Sequence, residues 1–146
     1  MARPPVIPNW LPDHLPTIYF VTFCTEDRTK ALATPEIFQK FQVACEKLAG
    51  WWIFSAVVMP DHIHVILAPQ NRFGSIKRAV VVLKRWIRQG DGNWQWQEGC
   101  FDRLLRSDES AQQKWEYVRA NPVRAGLVEK WEEWPYRLEG SSLDKL

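Results

Sequence analysis

The sequence predicts an α+β sandwich, an antiparallel sheet with its two major helices on one face. Three observations lead there. Four apolar or β-branched runs have strand length, two stretches carry apolar residues at helical spacing, and they alternate as β-α-β-β-α-β. A further helix follows. The 146 residues, 46% hydrophobic and 25% charged, suit one domain whose core needs no disulfide or metal to fold.

Residues 1–16 hold five of the ten prolines (Pro4, Pro5, Pro8, Pro12, Pro16) and read as an extended surface arm. Residues 17–25, with Ile18, Tyr19, Phe20, Val21, Thr22 and Phe23, read as a strand buried on both faces. Thr34 before Pro35 is a helix cap, and Ile37, Phe38, Phe41, Val43, Ala44 and Leu48 carry a helix over 35–49, up to Gly50. The apolar runs 51–58 and 63–68 flank Met59, Pro60 and Asp61, so they form a hairpin. Residues 75–89 are the plainest helix: Ile76, Val80, Leu83 and Ile87 share one side, and Gly90 and Gly92 end it. Residues 100–105 supply a fourth strand. Ser107 caps a last helix, with Asp108 and Glu109 in its first turn, that runs to Ala120 and stops at Asn121 and Pro122.

This order gives a ferredoxin-like β-α-β-β-α-β sandwich with an antiparallel sheet, followed by a C-terminal tyrosine-bearing helix. No repeat or linker divides it. The expected organisation is an arm at 1–16, a single domain at 17–140 and a tail at 141–146. Fold alone names no activity.

Nineteen Lys and Arg against seventeen Asp and Glu give a net charge of +2, which argues against indiscriminate coating of a polyanion. The average hides a basic segment, because residues 72–106 carry eight Lys and Arg against three acids. Three widely spaced cysteines without a C-x-x-C suggest neither a disulfide framework nor a zinc knuckle, and a reducing cytoplasm fits them. The opening Met-Ala-Arg-Pro-Pro has no apolar core and no run reaches 18 apolar residues, so neither secretion nor membrane spanning is expected. Nine tryptophans serve either as core ballast or as stacking surfaces.

His62 and His64 flank Ile63 at the start of the third strand, so both imidazoles project from one face while Ile63, Val65 and Leu67 project from the other. Such a pair suits a divalent cation once a third ligand is supplied; the bland alternative is packed or surface histidine. Tyr117 and Asn121, four residues apart on the last helix, share a face. Each has an ordinary reading, a packed aromatic and a helix end. Together the four supply two nitrogen ligands, an amide oxygen and a nucleophile, the parts for metal-assisted attack on a phosphodiester. A free phenol titrates near pH 10, so attack at neutral pH needs help. Gln113 and Lys114 are candidates on the same side of the helix, with a solvated face as the plain alternative. Lys77, Arg78, Lys84, Arg85 and Arg88 make a basic face on the second helix, suited to the phosphates of a nucleic acid, with a solvated charged face as the plain alternative. Trp94 and Trp96 sit in polar surroundings and are the candidates for stacking on bases.

Three passages resemble the HUH single-strand transposases with one catalytic tyrosine, and among them the REP-associated tyrosine transposases. They are VVMPDHIHVIL at 57–67, WQEGCFDRLLR at 96–106 and YVRANPVRAGLV at 117–128, with Val21-Thr22-Phe23 in an opening strand. The resemblance runs in order from residue 17 to about 140. Asp61 stands where many relatives have Asn, and Trp134, Pro135, Tyr136 and Arg137 match the closing region loosely; neither departure is expected to touch a ligand.

The resemblance implies Mg²⁺ or Mn²⁺ held by His62, His64 and Asn121, attack by Tyr117, and a 5′-phosphotyrosine with a free 3′-hydroxyl. It also implies single-stranded or hairpin DNA of the repetitive palindromic type as partner, no nucleotide cofactor, and a monomer. Two other readings stay open. One is a hairpin-DNA binding regulator with weak or no cleavage. The other, a hydrolase of small metabolites, leaves Tyr117 and the basic helix without a task.

Overall fold

The computed structural model describes residues 17–71, 74–90, 92–105 and 108–140. The elements are β1 (Ile18–Cys24), α1 (Pro35–Lys47), β2 (Trp51–Val58), β3 (His62–Pro69), α2 (Ile76–Ile87), β4 (Phe101–Leu105), α3 (Asp108–Val118), α4 (Asn121–Arg124) and β5 (Arg137–Glu139). The expected arm at 1–16, the tail at 141–146 and the Ser107 cap lie outside the described residues.

The strands form one antiparallel sheet in the order β4-β1-β3-β2-β5. Its first four strands are arranged as the ferredoxin-like expectation requires. β5 was not foreseen, since Arg-Leu-Glu has no apolar run to announce it; it pairs along β2 and covers that edge.

Local chemistry accounts for the helix starts. Thr34 Oγ1 accepts from the Ile37 amide at 3.2 Å with Pro35 at the first position, and Ser75 Oγ accepts from the Arg78 amide at 3.3 Å. α1 ends two residues before the expected boundary, because Leu48 leaves helical geometry (φ −87, ψ 76) and Gly50, at φ +83, turns the chain into β2.

Both faces of the sheet are buried, each by a different layer. α1 and α2 place Phe41, Ala44, Val80, Leu83 and Ile87 against Tyr19, Val21, Phe23, Ile63, Val65 and Leu67. α3 covers the other face, setting Ala111, Trp115 and Val118 against Ile18, Val57, Ile66 and Ala68. Each fully buried side chain of this kind contributes about 1.5–3 kcal/mol. Alternation along β3 therefore sends Ile63, Val65 and Leu67 to the first core and His62 and His64 to the α3 side, as expected.

The last helix departs from expectation. The sequence predicts a helix continuous to Ala120 with Tyr117 and Asn121 on one face; instead α3 ends at Val118 and Asn121 opens the separate turn α4. Pro122 has no N–H to give the Val118 carbonyl, so the ladder breaks and the proline sits in the first turn of a new helix. Among the described residues no helix is long and apolar enough to cross a membrane.

Candidate active site

The turn between β2 and β3 closes with the Met59 amide donating to the His62 carbonyl at 2.8 Å, so β3 begins at the first histidine. The two imidazole centroids lie 4.7 Å apart. Each ring is tethered through Nδ1. Asp61 Oδ1 sits 2.7 Å from His62 Nδ1, and a carboxylate accepts only, so Nδ1 is the donor in that bond and Nε2 is the nitrogen left to face a metal. Arg28 Nε donates to Asp61 Oδ2 at 2.9 Å. Burial raises the Asp61 carboxyl, but its bonds to Arg28 and His62 outweigh that and hold it below the usual range. Asp61 thus touches a proposed ligand, contrary to the expectation from sequence; only the folded turn brings its carboxylate back onto the next ring.

Thr22, opposite His64 in the β1–β3 register, places Oγ1 2.7 Å from His64 Nδ1. Phe20 stacks on the same ring at 5.3 Å. Burial, then the positive charges of His62, Lys114, Arg124 and Arg28, pushes His64 down to about 3. His64 is therefore neutral at any ordinary pH, the form in which imidazole binds a metal.

α3 turns Ala111, Trp115 and Val118 inward, which leaves Tyr117 on its outer side, 62% exposed. The layer is pinned by Trp115 Nε1 donating to Glu139 Oε1 at 3.1 Å and Trp134 Nε1 donating to the Val58 carbonyl at 3.0 Å. Lys114 Nζ lies 5.0 Å from the Phe20 ring centre and 5.8 Å from that of Tyr117, so a run of contacts links His64 to the phenol. Tyr117 and Asn121 meet through Arg124. Its guanidinium lies 4.0 Å from the Tyr117 ring centre and donates to the Tyr117 carbonyl at 2.7 Å and to Asn121 Oδ1. Arg124 belongs to the quoted Asn-Pro-Val-Arg stretch, and its i+3 spacing from Asn121 was the available signal.

The structure does not bring the α2 cations to this site. α2 packs on the sheet face opposite the histidines, with Lys77, Arg78 and Arg85 exposed. Lys84 and Arg88 have structural partners: Lys84 Nζ donates to the Gln97 and Gly99 carbonyls at 2.9 and 2.6 Å, and Arg88 to those of Gly90 and Gly92 at 3.2 Å each. Trp94, 7% exposed, is core, with the Arg88 guanidinium over its ring. Trp96 is half-buried and donates to the Lys84 carbonyl at 3.0 Å. Their polar neighbours in sequence hid this, because the 92–100 segment folds back along α2. Besides Tyr117, an exposed aromatic near the histidines is Phe101, 63% exposed and opposite Thr22 in the β1–β4 register.

Among the described residues no group of three or more His, Cys, Asp or Glu is placed to hold a metal. A metal at the histidine pair would take a further ligand of another kind, for which the Asn121 amide oxygen is chemically suitable.

No family model matches the chain. A protein of Haemophilus influenzae named as a REP-associated tyrosine transposase is 31% identical, the match covering 82% of this chain and 77% of that one. A solved REP-associated tyrosine transposase, bound to a REP hairpin, shares the fold with a TM-score of 0.71 at 19% identity, over 90% of this chain and 82% of that one. A Deinococcus radiodurans protein described as a transposase shares it at 0.51 and 17% identity, over 81% and 95%. The sequence likeness extends well beyond the histidine strand, and on its strength the chain belongs to the REP-associated tyrosine transposases.

Proposed function

We propose that the chain is a metal-dependent endonuclease and strand transferase for single-stranded, hairpin-forming palindromic DNA, with Tyr117 as nucleophile. The observation that carries this reading is the histidine pair: two rings 4.7 Å apart, each held at Nδ1, with neutral, half-buried His64 on the sheet face that α3 covers. The donor set fits Mg²⁺ or Mn²⁺ with His62, His64 and the Asn121 oxygen as ligands. When bound, the ion polarises the phosphate and neutralises charge on its nonbridging oxygens.

In the proposed step Tyr117 Oη attacks phosphorus, the P–O3′ bond breaks, and the chain carries a 5′-phosphotyrosine while the leaving oxygen becomes a 3′-hydroxyl. The phenol loses one proton and the 3′-oxygen gains one. Ester energy is conserved, so rejoining needs no nucleotide cofactor. Arg124 and Lys114 place positive charge beside the phenol, where the substrate phosphate must also lie. The likeness to a hairpin-bound neighbour supports a hairpin substrate here. The proposed acting species is a monomer.

The deciding variant is Tyr117→Phe. A covalent protein–DNA adduct on a hairpin substrate with single-stranded tails is expected to vanish while binding persists; an undiminished adduct overturns the assignment. One observation favours the second reading, a hairpin-binding regulator: Arg124 already occupies the Asn121 oxygen. Tight hairpin binding with no cleavage across Mg²⁺ and Mn²⁺ titrations would select it.

A further inference from the structure

Beside the histidine pair lies a cleft of about 520 Å³, lined by Thr22, Cys24, Gln97, Glu98, Gly99, Cys100 and Phe101. It shares Thr22 with His64. That volume falls in the roughly 300–1,000 Å³ range of sites for small ligands. Its walls are fixed from outside. The Gln97 amide donates to the Cys24 carbonyl at 2.9 Å and the Glu26 amide to that of Gln95 at 2.8 Å, so the 95–99 segment is sewn to the end of β1. Half-buried Lys84 holds the Gln97 and Gly99 carbonyls. At the cleft stands Phe101, a large apolar side chain left in water on an edge strand, facing the histidine side.

The lining selects its occupant. Among the described residues it offers one carboxylate, Glu98, one amide, Gln97, and no cation, which disfavours a phosphate. A flat heterocycle with N–H groups on its edge suits it, stacking on Phe101 and donating to Glu98. Arg103, exposed two residues further along β4 on the same face, supplies the positive charge that the cleft lacks.

We infer that this cleft receives one unstacked nucleobase of the single strand, next to the phosphate at the histidines, and favours adenine, cytosine or guanine over thymine because only those bear an exocyclic amine for Glu98. The inference rests on the nuclease reading above. Phe101 supplies the stacking surface that the sequence had assigned to Trp94 and Trp96.

The test is equilibrium binding of the full chain to a fluorescent DNA hairpin with single-stranded tails, in EDTA so that no cleavage intervenes, with each unpaired position made abasic in turn. One position is expected to weaken binding about tenfold when its base is removed, as loss of one stacked base does. Phe101→Ala should weaken intact DNA to a similar degree and be indifferent to that lesion, whereas Phe101→Trp keeps the sensitivity and Glu98→Ala, which removes the acceptor, erases the discrimination against thymine. A flat abasic profile, or a Phe101→Ala chain as sensitive to the lesion as the parent, overturns the cleft assignment and leaves the nuclease reading standing. Failure to bind any hairpin overturns both.

Discussion

The guanidinium of Arg124 covers the ring of Tyr117 at 4.0 Å while the same side chain donates to the Tyr117 carbonyl and to Asn121 Oδ1. One residue thus fixes the relation between the proposed nucleophile and the amide oxygen across the break between α3 and α4. A cation at that ring also stands beside the place where a substrate phosphate would gather charge during attack.

Arg124→Ala removes both the fork and the charge, and Arg124→Lys keeps the charge but cannot bridge two acceptors while lying flat on a ring. Single-turnover adduct formation is expected to fall roughly 100-fold for the alanine variant, on the scale of losing one preorganised donor, and less for lysine. Hairpin affinity, read by anisotropy, should change little. An unaltered rate in Arg124→Ala removes Arg124 from the site.

The tethers on the histidines make a separate prediction. Thr22→Val keeps the shape of the side chain and deletes the hydroxyl at His64 Nδ1; Asp61→Ala deletes the acceptor at His62 Nδ1 and the Arg28 ion pair. Partners of this kind typically contribute 10–100-fold in metal affinity, so the Mn²⁺ concentration for half-maximal cleavage should rise by about tenfold or more. Asp61→Asn should be milder, because an amide oxygen still accepts the ring proton. Equal Mn²⁺ dependence in all four proteins would sever these residues from the metal.

What the sequence disclosed follows from how far each signal reaches. Period-two alternation placed His62 and His64 on the face opposite Ile63, cap chemistry placed α1 and apolar periodicity placed α2, because all three signals are local. Pro122 was legible as a stop, but the fresh turn at Asn121 and the Arg124 bridge depend on where the chain goes after the break. A helical projection set Lys84 and Arg88 opposite the apolar stripe of α2. It could not show the 92–100 segment returning to consume their donors. β5, at three residues, is defined by its pairing with β2 and by little of its own.

The α2 surface separates two kinds of cation. If hairpin DNA contacts this helix, Lys77→Ala, Arg78→Ala and Arg85→Ala should each reduce the slope of log affinity against log salt by about one, leaving fold stability unchanged. Lys84→Ala should leave that slope alone. It strips two carbonyls of a charged donor and is expected to cost about 1–3 kcal/mol in urea unfolding. A normal urea midpoint with a smaller salt slope in Lys84→Ala would return that lysine to the phosphate contacts.

The three free cysteines give the pH dependence. Burial, with Glu46 nearby, pushes Cys45 up to about 12; burial, then Asp102, pushes Cys100 up to about 11; burial also raises Cys24. In the unfolded chain a thiol ionises near pH 8.5. Between that value and 11–12 the unfolded chain binds fewer protons than the folded one, so stability is fully present below about pH 8.5 and is lost as pH rises toward 11–12. The urea midpoint should therefore fall across that window, and Cys45→Ala should flatten the fall. The thiolate is also the reactive form, so at pH 8 Cys45 in the native chain should alkylate far more slowly than in urea. Mass spectrometry of iodoacetamide-treated protein checks this, and equal rates in the two states would show that the fold does not hold the Cys45 proton.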